Sequence, residues 1–266
     1  FLLGTTGTIY VSSRAIFLSS YIYSGEEGTV VHRISIDEGT IVYEATGQVP
    51  GHVLNQFSMD EYNGYFRVAT QTWNTGTVQV ALPSRPSTST STTTTVSGPA
   101  SGVYVLDENL DLVGRVEGLG AGEQFHSARF VGDRAYLVTF KKIDPLFVVD
   151  LSEPRNPRVL GELKITGYSD YLHPFDENYV IGIGKEADDQ GSFAWYQGVK
   201  VALFDVSDPA NPREAGTFVI GDRGTESPVL LEHKALLFDR ERSLLVMPVT
   251  VAKLSGYNEP WARGEP

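Results

Sequence analysis

The stretch FVVDLSEPRNPRVLGEL at residues 147–163 returns in altered form as LFDVSDPANPREAGTF at residues 203–218. In both copies an apolar run ends at an aspartate, two prolines follow, and a second run typical of a β-strand comes next. The matched residues lie 55 positions apart: Asp150 with Asp205, Pro154 with Pro209, and Pro157 with Pro212. Repeats of about 40 to 50 residues built from short strands are typical of β-propeller blades. The sequence therefore predicts an all-β protein of four-stranded antiparallel blades, with a partial ring of about four blades in this chain.

An aspartate at the end of one strand marks four copies of the repeat: Asp37, Asp107, Asp150 and Asp205. Their spacings are 70, 43 and 55 residues. We attribute the longest interval to a Ser/Thr-rich insertion, and the interval of 55 to an acidic and aromatic loop at residues 186–198. We also expect a separate, fragmentary strand pair at residues 8–23, before the first complete repeat.

Short runs rich in Val, Ile, Tyr, Phe and Thr occur along the whole chain and are separated by Gly, Asn and Asp turns. No stretch of 11 or more residues combines a helical period with caps at both ends, so we expect very little helix. In the repeated phrase, the Asp and Ser side chains can satisfy turn backbone and the prolines can stiffen the connection. We interpret the phrase as scaffold.

The segment PSRPSTSTSTTTTVSGPAS at residues 83–101 is too polar to bury itself and is interpreted as a surface insertion in one propeller region spanning residues 1–266. Strand-like runs flank it on both sides, so it decorates a domain and does not divide two. Its Ser/Thr density with proline also permits O-glycosylation.

Composition excludes several classes of function. The formal net charge is −12, which argues against nucleic acid or an anionic membrane as the partner, since both require a basic surface. The chain has no cysteine and therefore no disulfide or thiolate metal site. No run of about 18 apolar residues is present that could span a bilayer. The absence of cysteine and the low methionine count of 2 favour a heat-adapted source.

Four long phrases closely resemble a family of secreted archaeal and bacterial proteins that carry a β-propeller domain distantly related to WD40 repeats. They are HVLNQFSMDEYNGYFRVAT (52–70), SARFVGDRAYLVTFKKIDPLFVVDLS (127–152), GELKITGYSDYLHPFDENYVIGIGKE (161–186) and GVKVALFDVSDPANPREAGTFVIGDRG (198–224). The resemblance implies a secreted or cell-surface protein with an upstream signal peptide, of which this chain is the C-terminal half of the domain. It implies no activity and no catalytic residue.

The candidate catalytic residues are His173, Asp170 and His233. Both histidines stand just before strand-like runs, where the favoured interpretation is a structural role in tying strands together. The alternative is a hydrolase or lyase that acts on glycans or peptides at the propeller channel. No H-E-x-x-H or G-x-S-x-G motif supports that alternative.

Acidic residues offer the only metal candidates. Hard cations such as calcium require six to eight oxygen ligands, and Asp188 and Asp189 lie in the acidic and aromatic insertion at residues 186–198. They do not match the spacing of a calcium loop, so solvated turn residues are the competing interpretation. Phe193, Trp195 and Tyr196 belong to the same insertion and fit either sugar binding or a hydrophobic plug under a long loop.

These observations favour a non-enzymatic extracellular propeller that binds a protein or polysaccharide of the cell envelope and has no cofactor. If the protein binds a cation, we expect calcium. We expect the ring to be completed by a missing upstream half of the same protein or by another chain, because a partial ring leaves open strand edges.

Overall fold

The computed structural model describes residues 7–23, 27–37, 39–73, 76–80, 92–96, 98–141, 144–189 and 194–253. Within these ranges the chain forms 21 β-strands and three short 3-10 turns, and no α-helix. The prediction of an all-β protein with very little helix is confirmed. None of the described helical turns is long and apolar enough to cross a membrane.

The first blade is complete. It consists of β1 (Ile9–Val11), β2 (Ala15–Tyr23), β3 (Glu27–Asp37) and β4 (Thr40–Pro50), paired antiparallel in that order. The expectation of a fragmentary strand pair at residues 8–23 is therefore wrong. The long β3 pairs with β2 on one edge and with β4 on the other, so the early strands join the repeat marked by Asp37.

The second blade has an interrupted first strand. A 3-10 turn at Gln56–Ser58 separates β5 (His52–Val53) from β6 (Met59–Tyr62), and both pieces pair with β7 (Tyr65–Thr72). A hairpin of β8 (Gly76–Val80) and β9 (Thr92–Val96) comes next in the chain. The blade ends with β10 (Ala100–Leu106) and β11 (Leu112–Leu119). Part of the predicted insertion at 83–101 thus forms β9, while its residues 83–91 and 97 lie outside the described ranges.

The third and fourth blades have the same strand order. The third contains β12 (Gln124–Val131), β13 (Arg134–Phe140), β14 (Asp144–Asp150) and β15 (Arg158–Ile165). The fourth contains β16 (Tyr168–Pro174), β17 (Tyr179–Asp189), β18 (Ala194–Asp205) and β19 (Arg213–Ile220). Two 3-10 turns, Pro228–Leu230 and His233–Ala235, follow, and then the hairpin of β20 (Leu237–Asp239) and β21 (Leu244–Val246).

The stretch at 186–198, expected as a loop, is largely strand. Ala187 pairs with Tyr196 and Asp188 with Trp195, so β17 and β18 continue as a ladder beyond the end of β16. A register shift between Lys185 and Ala187 starts this extension. The expectation of a loop is wrong because acidic and aromatic residues on facing strands here extend the hairpin.

The aspartate at the end of the third strand organises the turn in both copies of the repeated phrase, as the sequence predicts. Asp150 Oδ1 accepts the Ser152 backbone N–H at 3.0 Å, and its other oxygen pairs with Arg158 at 2.9 Å. Burial raises the pKa of Asp150, but the Ser152 hydrogen bonds and Arg158 outweigh burial and hold the pKa below its ordinary value. In the second copy, hydrogen bonds from Ser207 hold the pKa of Asp205 low. The predicted use of the aspartate side chain to satisfy turn backbone is confirmed in both copies, and the interpretation of the whole phrase as scaffold stays a prediction.

The chain forms two compact units, residues 1–139 with 147–161, and residues 140–146 with 162–266. In the first unit, apolar side chains of neighbouring sheets form the core, and Phe17 stacks on Phe66 at a centroid distance of 4.4 Å. In the second unit, buried side chains of the fourth blade form the core: Leu172, Val180, Ile183, Val199, Phe204 and Val206. Each large apolar side chain of this kind contributes about 1.5–3 kcal/mol through burial.

Glycines in the fourth strands let neighbouring blades of the first unit approach closely. A Cβ added at Gly47 in β4 would lie 2.2 Å from the carbonyl oxygen of Leu110, and one added at Gly114 in β11 would lie 2.0 Å from that of Pro154. Leu110 and Pro154 both belong to the turn that follows the third strand of the next blade. Gly47 and Gly114 therefore each leave room for the aspartate turn of the next blade, and we call a glycine in this role a seat.

Candidate ligand-binding site

The second unit contains a cavity of about 750 Å³ beside the extended β17–β18 hairpin. Its lining combines aromatic, charged and small side chains from β16, the hairpin and the segment after β19: Tyr168, Asp170, Lys185, Trp195, Tyr196, Gln197, Arg223, Gly224, Glu226, Ser227, Leu230 and Leu231. Small-molecule sites usually have volumes of about 300–1,000 Å³ and a few convergent polar groups among aromatic side chains. The cavity meets both criteria.

Aromatic rings form one wall of the cavity. Tyr168 meets Tyr196 edge to face at 5.3 Å, and Phe140 packs against both at 5.1 and 5.9 Å. Tyr196 is 44% exposed, so part of its surface is available to a ligand. The Arg223 guanidinium lies 4.5 Å from the ring centre of Trp195, an arrangement that stabilises the orientation of both side chains.

Asp170 reaches the cavity because the strand that carries it bulges. Ser169 pairs with Gly184 and Tyr171 with Ile183, which leaves Asp170 as an extra residue between two regular pairs. A bulge of this kind redirects a side chain without breaking the sheet. Gln197, which also lines the cavity, donates its amide N–H to Asp188 Oδ2 at 2.7 Å.

Two buried lysines stabilise the base of the hairpin. Lys185 donates to Glu226 Oε1 at 2.8 Å and to the Thr225 carbonyl, which ties the segment after β19 to β17. Lys200, 4% exposed, pairs with Glu186 at 3.1 Å and with Glu214 at 3.0 Å. It also donates to the Thr166 carbonyl at 2.8 Å. These bonds hold β17, β18 and β19 in register below the aromatic wall.

The three sequence-predicted catalytic residues divide between two places. The ring of Tyr171 lies 6.0 Å from that of His173 and 6.2 Å from that of His233, and the Tyr171 hydroxyl is 3.1 Å from His173 Nδ1. His173 also packs edge to face on Phe238 at 4.7 Å. Asp170 instead lines the cavity. The two histidines thus share an aromatic cluster, and the structural role favoured from the sequence, tying neighbouring strands together, stays a prediction.

The metal candidates show mixed surroundings. Asp188 accepts the hydrogen bond from Gln197, whereas the side chains of Asp189 and Phe193 lie outside what the structure describes. Across the described ranges, no three His, Asp or Glu side chains are close enough together to hold a metal ion. A calcium site at Asp188 and Asp189 stays a prediction.

Sequence reasoning singled out Asp170, Trp195 and Tyr196 but missed the other residues that line the cavity. Tyr168 and Arg223 are 55 positions apart, and neither belongs to a recognisable binding motif. Only the fold brings β16, the hairpin and the segment after β19 together. The available signal was weak: the second copy of the repeat continues into Gly221-Asp222-Arg223-Gly224, where the first copy has Thr166-Gly167-Tyr168-Ser169.

The fold and the blade repeats define a β-propeller protein, and comparison with known families agrees. The beta propeller domain family matches residues 1–264, so the chain belongs to that family. An uncharacterized protein of Archaeoglobus fulgidus is 38% identical over 242 residues, which covers 88% of this chain and 33% of that protein. An uncharacterized protein of Methanocaldococcus jannaschii is 39% identical over 224 residues, covering 84% and 31%. The chain thus spans about a third of the length of these archaeal relatives.

Among solved structures, a europium-containing methanol dehydrogenase superposes with a TM-score of 0.53 and 8% sequence identity. The superposition covers 82% of this chain and 42% of that enzyme. At this identity the likeness concerns the fold alone, and the same fold carries many unrelated activities.

Proposed function

We propose that this propeller is a non-enzymatic binding module of the cell envelope that holds an uncharged saccharide in the cavity of its fourth blade. One observation carries the proposal: an aromatic wall formed by Tyr168 and Tyr196 stands beside the hydrogen-bonding side chains of Asp170 and Gln197 in one accessible cavity. Flat aromatic surface with a few fixed polar groups suits a ligand that has both apolar faces and hydroxyls.

The charges of the lining favour a neutral ligand. Asp170 and Glu226 contribute two carboxylates, and Lys185 and Arg223 contribute two cations. Lys185 is paired with Glu226, and Arg223 lies on Trp195, so neither sign of charge dominates the cavity. A strongly charged ligand would meet a group of its own sign at close range.

The size of the cavity suits a disaccharide. A ligand of about 20 non-hydrogen atoms, at about −0.3 kcal/mol per atom, would bind with about −6 kcal/mol, a dissociation constant of about 0.04 mM.

Location at the cell surface is supported by the resemblance to secreted propeller proteins. In that setting the remainder of the ring is supplied by the rest of the same protein or by another chain.

Titration calorimetry against a panel of neutral and acidic envelope oligosaccharides tests the proposal. We expect binding of a neutral oligosaccharide that Tyr196→Ala and Asp170→Asn each weaken at least about tenfold, since each removes a wall or a hydrogen-bonding group. The matched control is Trp73→Ala, which removes a half-exposed aromatic side chain far along the sequence, in the first unit.

Two results would contradict the proposal. Equal weakening by Trp73→Ala would place the binding elsewhere. Turnover of chromogenic glycosides, lost in His173→Ala and His233→Ala, would favour the rival hydrolase or lyase hypothesis for His173, Asp170 and His233.

A further inference from the structure

The segment after the fourth blade repeats the layout that opens the second blade. There, β5 pairs with the far end of β7 through Val53 and Thr70, a 3-10 turn follows, and β6 and β7 form a hairpin. After β19, Glu226 forms an antiparallel bridge with Thr250, two 3-10 turns follow, and β20 and β21 form a hairpin. Both hairpins turn through a non-glycine residue with positive φ, Asn63 at 51° and Ser243 at 50°.

The hydrogen bonds of residues 248–252 face one side. Thr250 exchanges two backbone hydrogen bonds with Glu226, at 2.8 and 3.0 Å, and the Ala252 carbonyl accepts from Asp222 at 2.9 Å. Because backbone groups alternate along a strand, Val249 and Val251 direct theirs to the opposite edge. In the second blade that edge of β7 pairs with the third strand, β10. Pro248 lacks an N–H, but its backbone groups belong to the edge that faces Glu226. The opposite edge, where Val249 and Val251 direct their backbone groups, therefore keeps all of its donors.

Burial also differs between the two copies. Phe66 to Gln71 in β7 are all buried, whereas Leu244, Val246 and Val251 are 43%, 48% and 48% exposed. These side chains are as apolar as those of a strand that is buried on both faces. Among the residues that the structure describes, however, nearly half of their surface is uncovered.

In the described part of the chain, nothing packs against Gly216 of the neighbouring fourth strand, β19. Gly114 pairs with Val105, two residues before Asp107, and Gly216 pairs with Leu203, two residues before Asp205. A Cβ at Gly114 would collide with the Pro154 carbonyl, but a Cβ at Gly216 meets nothing within 4 Å. Phe218, on the same strand, is 67% exposed.

We propose that residues 222–252 are the first half of a fifth blade, and that the next strand of the same polypeptide pairs with the edge of Val249 and Val251. The turn after that strand seats on Gly216 as the other aspartate turns seat on Gly47 and Gly114. The occupant follows from chain order, since in the first, third and fourth blades the third strand is the next strand after the second. The archaeal relatives, about three times as long as the matched region, have length for it.

The test uses the protein extended by its native sequence past residue 266. Gly216→Ala should lower its melting temperature by about 3–10 °C, as overpacking of a closed seat does, and Gly114→Ala should do the same. Amide hydrogen exchange at Val249 and Val251 should be at least about 100-fold slower than in an unstructured peptide, like that at the bonded Thr250.

Two results would overturn the proposal. In the first, the extended protein tolerates Gly216→Ala while Gly114→Ala destabilises it, and the amides of Val249 and Val251 exchange freely. In the second, protection of these amides in residues 1–266 increases with protein concentration together with dimer formation, which would assign the edge to a second copy of the chain.

Discussion

Replacing Lys200 with methionine should destabilise the protein far more than its single positive charge suggests. Methionine keeps most of the side-chain volume but removes an ammonium that forms ion pairs with Glu186 at 3.1 Å and Glu214 at 3.0 Å. The same ammonium donates a hydrogen bond to the Thr166 carbonyl at 2.8 Å. The two carboxylates would then repel each other with no cation between them. Their side chains are only 18% and 27% exposed, so water compensates little.

The magnitude follows from the cost of breaking a buried ion pair, about 3–5 kcal/mol when one partner is removed. The partial exposure of the carboxylates reduces this to about 2–4 kcal/mol. With a urea m-value of about 3 kcal/mol/M, a loss of 3 kcal/mol shifts the unfolding midpoint by about 1 M. Equilibrium urea unfolding followed by tryptophan fluorescence measures that shift.

Two matched variants separate the charge from the packing. Lys164→Met removes an ammonium 3.8 Å from Glu162 on a side chain that is 73% exposed, and should cost less than about 0.5 kcal/mol. Combining Lys200→Met with Glu186→Gln and Glu214→Gln should restore at least half of the lost stability, since no unpaired charge remains. The reasoning is refuted if Lys200→Met costs no more than Lys164→Met, or if the combined variant is less stable than Lys200→Met alone.

Three further outcomes are expected. Phe204→Ala, at a fully buried core position, should cost about 3–5 kcal/mol in urea unfolding, and a cost below 1 kcal/mol would contradict the assigned core. The lowered pKa values of Asp150 and Asp205 mean that their stabilisation is complete above about pH 4 and is lost as the pH falls through the folded-state pKa. The melting temperature should therefore fall as the pH is lowered from 6 to 2, and it should fall less steeply in Asp150→Asn than in the unmodified protein. Parallel curves for the two proteins would show that Asp150 does not contribute to this pH dependence. If Asp188 and Asp189 hold calcium, a calcium concentration of 1,000 times the dissociation constant should raise the free energy of unfolding by about 4 kcal/mol. Identical melting curves in calcium and in EDTA would contradict a calcium site there.

The repeat made the blades predictable because it records local chemistry. An aspartate whose side chain caps a turn, and prolines after it, need only neighbours in sequence, so Asp150 and Asp205 could be interpreted correctly without a structure. The role of residues 9–50 was harder to find, since Asp37, like Asp107, is not followed by the proline phrase. The pairing of β2 with β3 depends on contacts between strands that no local sequence motif predicts.

The candidate site was predictable only in part for the same reason. Trp195 and Tyr196 stand out in the sequence as aromatic residues near acids. The position of Asp170 depends on a bulge, and Arg223 and Glu226 reach the cavity through the path of the chain after β19. Such arrangements depend on register and chain path, which composition and spacing do not encode.

The contacts at Gly47 and Gly114 suit assembly of the blades in the order in which they are synthesised. In both cases the glycine precedes the turn that it receives, with Leu110 following Gly47 and Pro154 following Gly114 in the chain. During synthesis from the N-terminus, the receiving surface therefore leaves the ribosome before the insert that fills it. In these two cases a blade can pack onto its completed neighbour as soon as the turn after its own third strand has emerged.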